Sequence, residues 1–161
     1  MNRKAVFLAI ALLGSGRFVL TGQQPATPAV FTAAQAEAGR TAYEHSCGQC
    51  HTSRLQGRKG EDGELPPVAS LPAAYQKFIG NPVHVPPLAG KVFLSRNGQK
   101  TVAEIVDQFQ RTARTPIFQF EGMKEEDIVN ITAYVLEVNG AKPGNQTLTK
   151  TTAVVINSII E

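Results

Sequence analysis

The most reactive stretch of the chain is HSCGQCHTS, which runs from His45 to Ser53. It holds both cysteines of the chain, Cys47 and Cys50, and two of its three histidines, His45 and His51. Two thiols and an imidazole at this spacing can form a redox or structural disulfide, supply part of a zinc site, or anchor a haem covalently. The rest of the chain is needed to decide among these three chemistries.

Zinc and a redox disulfide fit the remaining sequence poorly. Zinc normally takes four protein ligands, or three plus water, and beyond CGQCH only His45 and His84 are left as histidines. A thioredoxin-like pair needs a CxxC that opens a helix after a strand, whereas the residues before Cys47 have a helical pattern. A structural disulfide between Cys47 and Cys50 stays chemically possible in an exported chain.

The pattern C-x-x-C-H is typical of covalent haem c attachment. Residues i and i+3 share one face of a helical turn, so the thiols of Cys47 and Cys50 can each bond one vinyl group of the same haem. His51 follows directly and can point an imidazole nitrogen at the iron. We therefore predict one covalently bound haem c, with Cys47, Cys50 and His51 as cofactor-binding residues and His51 as the metal ligand.

The N-terminus has the pattern of an export signal. Arg3 and Lys4 precede the apolar segment AVFLAIALL, whose length falls within the roughly 7 to 15 residues of a signal-peptide core and below the roughly 20 that span a bilayer. Small residues follow, so we expect residues 1–26 to be a cleavable signal peptide whose cleaved bond is left open. The expected location is the periplasm, with no membrane span after processing.

The mature chain is expected to be near neutral. Of the 16 basic residues, three (Arg3, Lys4 and Arg17) lie in the leader, and none of the 13 acidic residues does. Nucleic-acid binding depends on an excess of clustered Lys and Arg. We therefore expect no nucleic-acid partner.

Two helix starts are marked by capping boxes. Thr32 is followed three residues later by Gln35, and Thr101 by Glu104, so each pair can satisfy two backbone N–H groups that the helix leaves without partners. The first helix is predicted to present a face of small residues on which another helix could pack. This face consists of Ala34, Ala38 and Thr41 or Ala42.

A further helix is predicted after Gly122. Its first turn is acidic, which the helix dipole favours, and Asn139-Gly140 ends it because such residues adopt the left-handed conformation readily. Its apolar stripe consists of Ile128, Ile131, Val135 and Val138.

These features together resemble class I cytochromes c of the exported bacterial monohaem kind. The resemblance covers residues 31–144 and rests on AGRTAYEHSCGQCH, PPLAGKVF and EEDIVNITAYVLEVNGAKPG. It implies an all-α fold in which the N- and C-terminal helices cross around the covalently bound haem, with Gly39 and Tyr134 at the crossing. It also implies that the carbonyl of Pro87 accepts the N–H of the proximal imidazole.

One segment departs from the family pattern, and another lies beyond the part of the chain that the pattern covers. Residues 52–86 form an extended loop within the cytochrome domain, with a possible short helix at LPAAYQKFIG. This loop is expected to dock a partner, to shield the haem edge or to be a surface insertion. Residues 145–161 are a C-terminal extension, expected either as a short edge strand or as a segment packed on the domain.

The distal iron ligand is the second departure from the family pattern. The family has a Met-Pro pair in the loop before the last helix, and Thr115 stands at that position here. We expect Met123 to pack on Ile128 as a hydrophobic staple rather than to bind iron. The distal side is then open, bound to water, or taken by another group such as His84 or a lysine.

The sequence thus predicts an exported monohaem cytochrome c that carries single electrons between periplasmic redox proteins. The expected partners are a dehydrogenase, a respiratory complex or an oxidase. We expect a carrier rather than an enzyme, although it could serve as the electron-transfer subunit of a dehydrogenase. The alternative is a c-type haem sensor or small-gas-binding protein with an open distal site.

Overall fold

The computed structural model describes residues 27–59, 73–76, 84–114 and 122–161. The predicted leader, much of the extended loop and the position of Thr115 lie outside these residues. The helices are α1 (Ala33–Glu44), α2 (Gly48–His51), α3 (Ala73–Gln76), α4 (Gly90–Asn97), α5 (Val102–Ala113) and α6 (Glu125–Val138). Two short antiparallel strands, β1 (Arg58–Lys59) and β2 (His84–Val85), and a 3-10 turn (Ile156–Ser158) complete the described part. Its helical character confirms the predicted fold class.

Both predicted capping boxes are present. The Gln35 N–H donates to Thr32 Oγ1 at 3.2 Å, and the Thr32 N–H donates to Gln35 Oε1 at 3.3 Å. The Glu104 N–H donates to Thr101 Oγ1 at 3.3 Å, and the Thr101 N–H donates to Glu104 Oε2 at 2.7 Å. Helices α1 and α5 therefore begin where the sequence predicts, and so does α6.

Helix α1 lies directly against α6, and Gly39 is the point of closest approach. A Cβ atom at residue 39 would lie 1.8 Å from the carbonyl oxygen of Asn130, well inside any allowed contact. The predicted place of Gly39 at the crossing is confirmed. Tyr134 lies nearby on α6, with its ring centroid 5.4 Å from that of Tyr43 on α1.

The predicted packing face of α1 is wrong at Ala34, Ala38 and Thr41, which are exposed. Ala42, the alternative to Thr41, is partly buried and packs against the cluster that contains Tyr43. The buried residues of α1 are Ala36, Gly39 and Tyr43. The packing of α1 depends on Gly39, which has no side chain, and on the large ring of Tyr43. It does not depend on the number of alanines on a face. On α6, Val138 likewise departs from the predicted stripe, since 42% of it is exposed.

The C-terminal extension packs on the domain, which is the second of the two arrangements expected for it. The Val102 and Ala103 N–H groups donate to the carbonyls of Val154 and Thr152, both at 2.9 Å. The first N–H groups of a helix have no partner within it, so the extension supplies acceptors to the start of α5. Its buried side chains are Leu148, Ile156 and Ile159. They join the main core, the cluster that also contains Val102, Ile105, Ile128 and Leu136.

No helix within the described residues is long and apolar enough to cross a membrane.

Replacing Gly39 with alanine should separate α1 from α6. The added Cβ would overlap the Asn130 carbonyl, and forcing extra atoms into a packed contact typically costs about 1–3 kcal/mol. We expect the free energy of unfolding of Gly39→Ala, measured by urea denaturation, to fall by at least about 2 kcal/mol. Ala38→Ser, on the exposed side of the same helix, is the control and should change it by about 0.5 kcal/mol or less. Equal unfolding midpoints for the two variants would contradict this account of the crossing.

Candidate haem-binding site

The CGQCH motif forms a single helical turn directly after α1. The Cys50 N–H donates to the Cys47 carbonyl at 3.1 Å, and the His51 N–H donates to the same carbonyl at 2.9 Å. Tyr43 OH, from α1, donates to the Thr52 carbonyl at 2.7 Å and so fixes the far end of the turn. Residues i and i+3 of a turn share a face, so Cys47 and Cys50 are presented on the same side.

Both cysteines lie within the described residues as half-buried thiols, and neither is part of a disulfide. Burial raises the pKa of the Cys47 thiol, although a hydrogen bond from Ser46 to its sulfur opposes that change. Burial thus favours the neutral form of this thiol, which is a weaker metal ligand than a thiolate.

The His51 ring is fixed by a backbone carbonyl. Its Nδ1 atom lies 2.7 Å from the carbonyl oxygen of Pro86. A carbonyl oxygen only accepts, so Nδ1 carries the proton and the lone pair resides on Nε2. A histidine prepared in this way is the usual form of a metal ligand.

The acceptor predicted from the sequence, Pro87, is wrong by one residue. The register is set from both sides, since Val85 pairs with Arg58 in the short sheet and the Leu88 N–H donates to the Leu55 carbonyl at 2.8 Å. These two contacts turn the carbonyl of Pro86, rather than that of Pro87, toward His51. Two consecutive prolines look alike in the sequence, and only the tertiary pairing separates them.

Three residues with positive φ bring this segment under the histidine, namely Thr52, Leu55 and Gly57. Thr52 has φ 66° and ψ 161°, which is rare for a β-branched residue, and it ends α2 abruptly. Gly57 has φ 71°, and a Cβ there would lie 2.1 Å from the Val85 carbonyl oxygen. The Gly57 N–H donates to the His51 carbonyl at 3.0 Å. The chain thus turns back on itself and packs against residues 85–87, a role for Gly57 that the sequence analysis missed.

An apolar group, here called the motif-side cluster, adjoins the thiols. Its buried members are Tyr43, Leu55, Phe93, Ile131 and Val135. Partly buried side chains pack against it, among them Cys47, Leu88, Leu94, Phe109, Met123 and Tyr134. These side chains leave part of their apolar surface exposed beside the thiols. A haem bound there would bury that surface under its apolar macrocycle.

The residues present fit haem c. The thiols lie on one turn, the imidazole is held in the tautomer that offers Nε2, and the surrounding side chains are apolar. In addition, Thr52 Oγ1 is buried with no hydrogen-bond partner among the described residues, whereas buried polar atoms nearly always have one. This hydroxyl adjoins the proposed iron ligand and could bond to a polar group bound there.

The distal side is only partly defined by the described residues. Met123 is partly buried and packs against both the main core, which contains Ile128, and the motif-side cluster. It precedes Lys124, the N-cap of α6, and Ile128 is the fourth residue of that helix, which is the spacing of a hydrophobic staple. Thr115 and the side chain of His84 lie outside the description. The identity of the distal ligand stays a prediction.

Comparison with known families identifies the class of protein. The family model named Cytochrome c matches residues 36–139, which is well over half of the chain, and the chain belongs to this family. The match confirms the class I cytochrome fold and the covalently attached haem c that the sequence predicts, and Cys47 and Cys50 are present as such a site requires. Searches of curated proteins and of solved structures gave no significant match.

Removing both thiols should abolish covalent haem attachment. We expect intact-mass analysis of the unaltered protein, denatured and extracted with acid, to show the haem mass retained, and Cys47→Ala plus Cys50→Ala to show it lost. His45→Ala is the control, because His45 lies just outside the pentapeptide and its Nδ1 contacts only the Thr41 carbonyl of α1 in the bonds described here. Haem that is extracted from the unaltered protein would show that the thiols do not hold it.

Replacing Met123 with leucine should leave the absorption spectrum and the reduction potential unchanged. Leucine keeps the apolar contacts of the staple, and swaps of similar volume usually cost less than about 1.5 kcal/mol. If Met123 were the ligand, the oxidised protein would lose its sulfur-to-iron charge-transfer band, and its potential would fall because thioether ligation raises it. Either change would overturn the staple assignment.

Proposed function

We propose that the protein is an exported, periplasmic cytochrome that carries single electrons between redox proteins. Its donor would be a dehydrogenase or a respiratory complex, and its acceptor an oxidase or another cytochrome. Membership of the cytochrome c family supports an electron-transfer haem protein. The leader pattern at residues 1–26 supports export, as does the general occurrence of exported proteins in this family.

We assign three roles to the motif. Cys47 and Cys50 tether the haem through thioether bonds, and His51 binds the iron through Nε2. When bound, the haem supplies one-electron chemistry between its ferrous and ferric forms. The motif-side cluster excludes water, and the low dielectric of such surroundings contributes to the reduction potential.

The bond between His51 and Pro86 is the observation that carries the proposal. An acceptor raises the basicity of a metal-bound imidazole, and a neutral carbonyl does so less than a carboxylate would. A moderately basic ligand does not favour the ferric form strongly, which suits a site that must both take and release an electron. This favours a carrier over an enzyme that activates oxygen or peroxide.

The surroundings of the motif also favour a carrier. The turn is fixed at three places: by the Tyr43 hydroxyl at Thr52, by the Pro86 carbonyl at His51, and by the Gly57 N–H at the His51 carbonyl. A site held in this way changes little between two oxidation states. Small reorganisation is the main requirement of electron transfer, whereas a sensor must change shape when its ligand binds.

Electron transfer can be tested on protein taken from the periplasmic fraction of cells expressing the full chain. We expect a small chemical donor to reduce it and an oxidase-containing membrane extract to reoxidise it, with no substrate consumed. The double cysteine variant prepared in parallel is the control and should pass no electrons.

Two results would contradict the proposal. Recovery of the protein with an intact Met1 from the cytoplasm alone would rule out the periplasmic role. A reduced form that cannot pass its electron on, but binds carbon monoxide or nitric oxide tightly, would assign the protein to the gas-binding alternative.

A further inference from the structure

The side chain of Asn139 holds the segment that follows Pro86. Asn139 caps the C-terminus of α6 and is 8% exposed. Its Oδ1 accepts the Gly90 N–H at 2.9 Å, and its Nδ2 donates to the Leu88 carbonyl at 2.9 Å. One amide thus bonds to two residues of the same short segment, and a third bond from Nδ2 to the Val135 carbonyl, at 2.7 Å, ties it to its own helix.

These bonds from Asn139 to Leu88 and Gly90, here called the clamp, lie close in sequence to the hydrogen bond between Pro86 and His51. Only Pro87 separates Leu88 from Pro86, and proline fixes φ near −65°, so few rotations lie between the clamped residue and the carbonyl that faces His51. On its other side Leu88 is held by the Leu55 carbonyl. If Leu88 moved, the Pro86 carbonyl would therefore move with it.

The chemistry of the clamp requires an amide. One neutral group must accept from an N–H and donate to a carbonyl on the same segment, and of the neutral side chains short enough to fit here, asparagine offers both functions in one plane. The left-handed glycine that commonly ends a helix is already present one residue later, at Gly140 with φ 103°, so ending α6 does not by itself require an amide at residue 139. The burial of a polar side chain at this end of α6 is thus accounted for by its bonds to residues 88–90.

We propose that Asn139 is a positioning residue for the proximal iron ligand: by clamping Leu88 and Gly90 it holds the Pro86 carbonyl against His51 Nδ1–H and thereby lowers the reduction potential. The inference rests on the assignment of His51 as the iron ligand and goes beyond the carrier role. Its sign follows from the bond itself. A short bond to Nδ1–H makes the imidazole more basic and favours ferric iron, so loosening the clamp should favour ferrous iron and raise the potential.

Three variants test the inference on the haem-loaded full chain. Asn139→Ala removes all three side-chain bonds. Asn139→Ser is milder, because a serine hydroxyl can still donate to the Val135 carbonyl one turn back but is too short to hold the loop. Asn97→Ala is the matched control, because Asn97 is also buried, also ends a helix (α4) and also donates to the carbonyl four residues back, that of Phe93, at 3.2 Å.

The readouts are the reduction potential and the exchange rate of the His51 ring proton measured by NMR. For both Asn139 variants we expect the ferrous-to-ferric ratio at a fixed ambient potential to rise about threefold, which is about 30 mV at 59 mV per tenfold change. We expect the Nδ1 proton to exchange about tenfold faster, since its bond to Pro86 is weakened. Asn97→Ala should lose stability and change neither readout. If Asn139→Ala does not fold, Asn139→Ser gives the same answer with its helix bond kept.

Unchanged potential and exchange in a folded Asn139 variant would overturn the inference and leave the carrier role intact. A shift of equal size in Asn97→Ala would also overturn it, because the effect would then belong to general destabilisation. If the unaltered protein shows no iron-shifted ring proton from His51, the ligand assignment itself fails, and the inference fails with it.

Discussion

The absence of a side chain at residue 39 is the constraint on which the rest of the structure depends. With the Asn130 carbonyl 1.8 Å from where a Cβ would stand, α1 and α6 are in backbone contact and have one way to cross. That crossing turns Tyr43 inward, beside Tyr134 and under the CGQCH turn. Because α2 follows α1 after only a few residues, the orientation of both thiols is set by the same contact.

The proximal side is assembled from backbone groups rather than from charges. The His51 ring, the Tyr43 hydroxyl and the Leu88 N–H each bond to a carbonyl oxygen, those of Pro86, Thr52 and Leu55. Carbonyls remain neutral across the physiological pH range, so the acceptors of these three bonds carry no charge. The ion pairs at the surface, such as Arg40 with Glu37 and Glu44, are exposed and stabilise α1 only modestly.

The features that the sequence predicted correctly depend on residues a few positions apart. The features that it predicted wrongly depend on tertiary contacts. Thr32 and Thr101 cap helices because their partners lie three residues away, and the cysteine spacing fixes a helical turn in the same way. Pro86 and Pro87 could not be distinguished, since the choice depends on pairing with Arg58 and Leu55, far from both in sequence. The α1 face was assigned to Ala34 and Ala38 because small residues look suitable for packing, although the burial of Tyr43 determined the face. The sequence pattern indicated Asn139 only as part of a helix end, and not its bonds to Leu88 and Gly90, which lie about 50 residues away.

The bond from His51 to Pro86 joins residues 35 positions apart in the sequence, whereas the two thiols and the imidazole lie within five consecutive residues. The attachment motif is thus a local property that even an unfolded chain possesses, whereas the tautomer of His51, the proposed iron ligand, depends on the closed fold. Closing a loop of this length costs roughly 3 kcal/mol of chain entropy before any constant term, so the contact forms only once folding compensates for it. A molecule that opens locally would keep its cofactor and lose the control over its ligand. The electronic state of the iron would then report the integrity of the fold, and damage to the fold would change the reduction potential without loss of the haem.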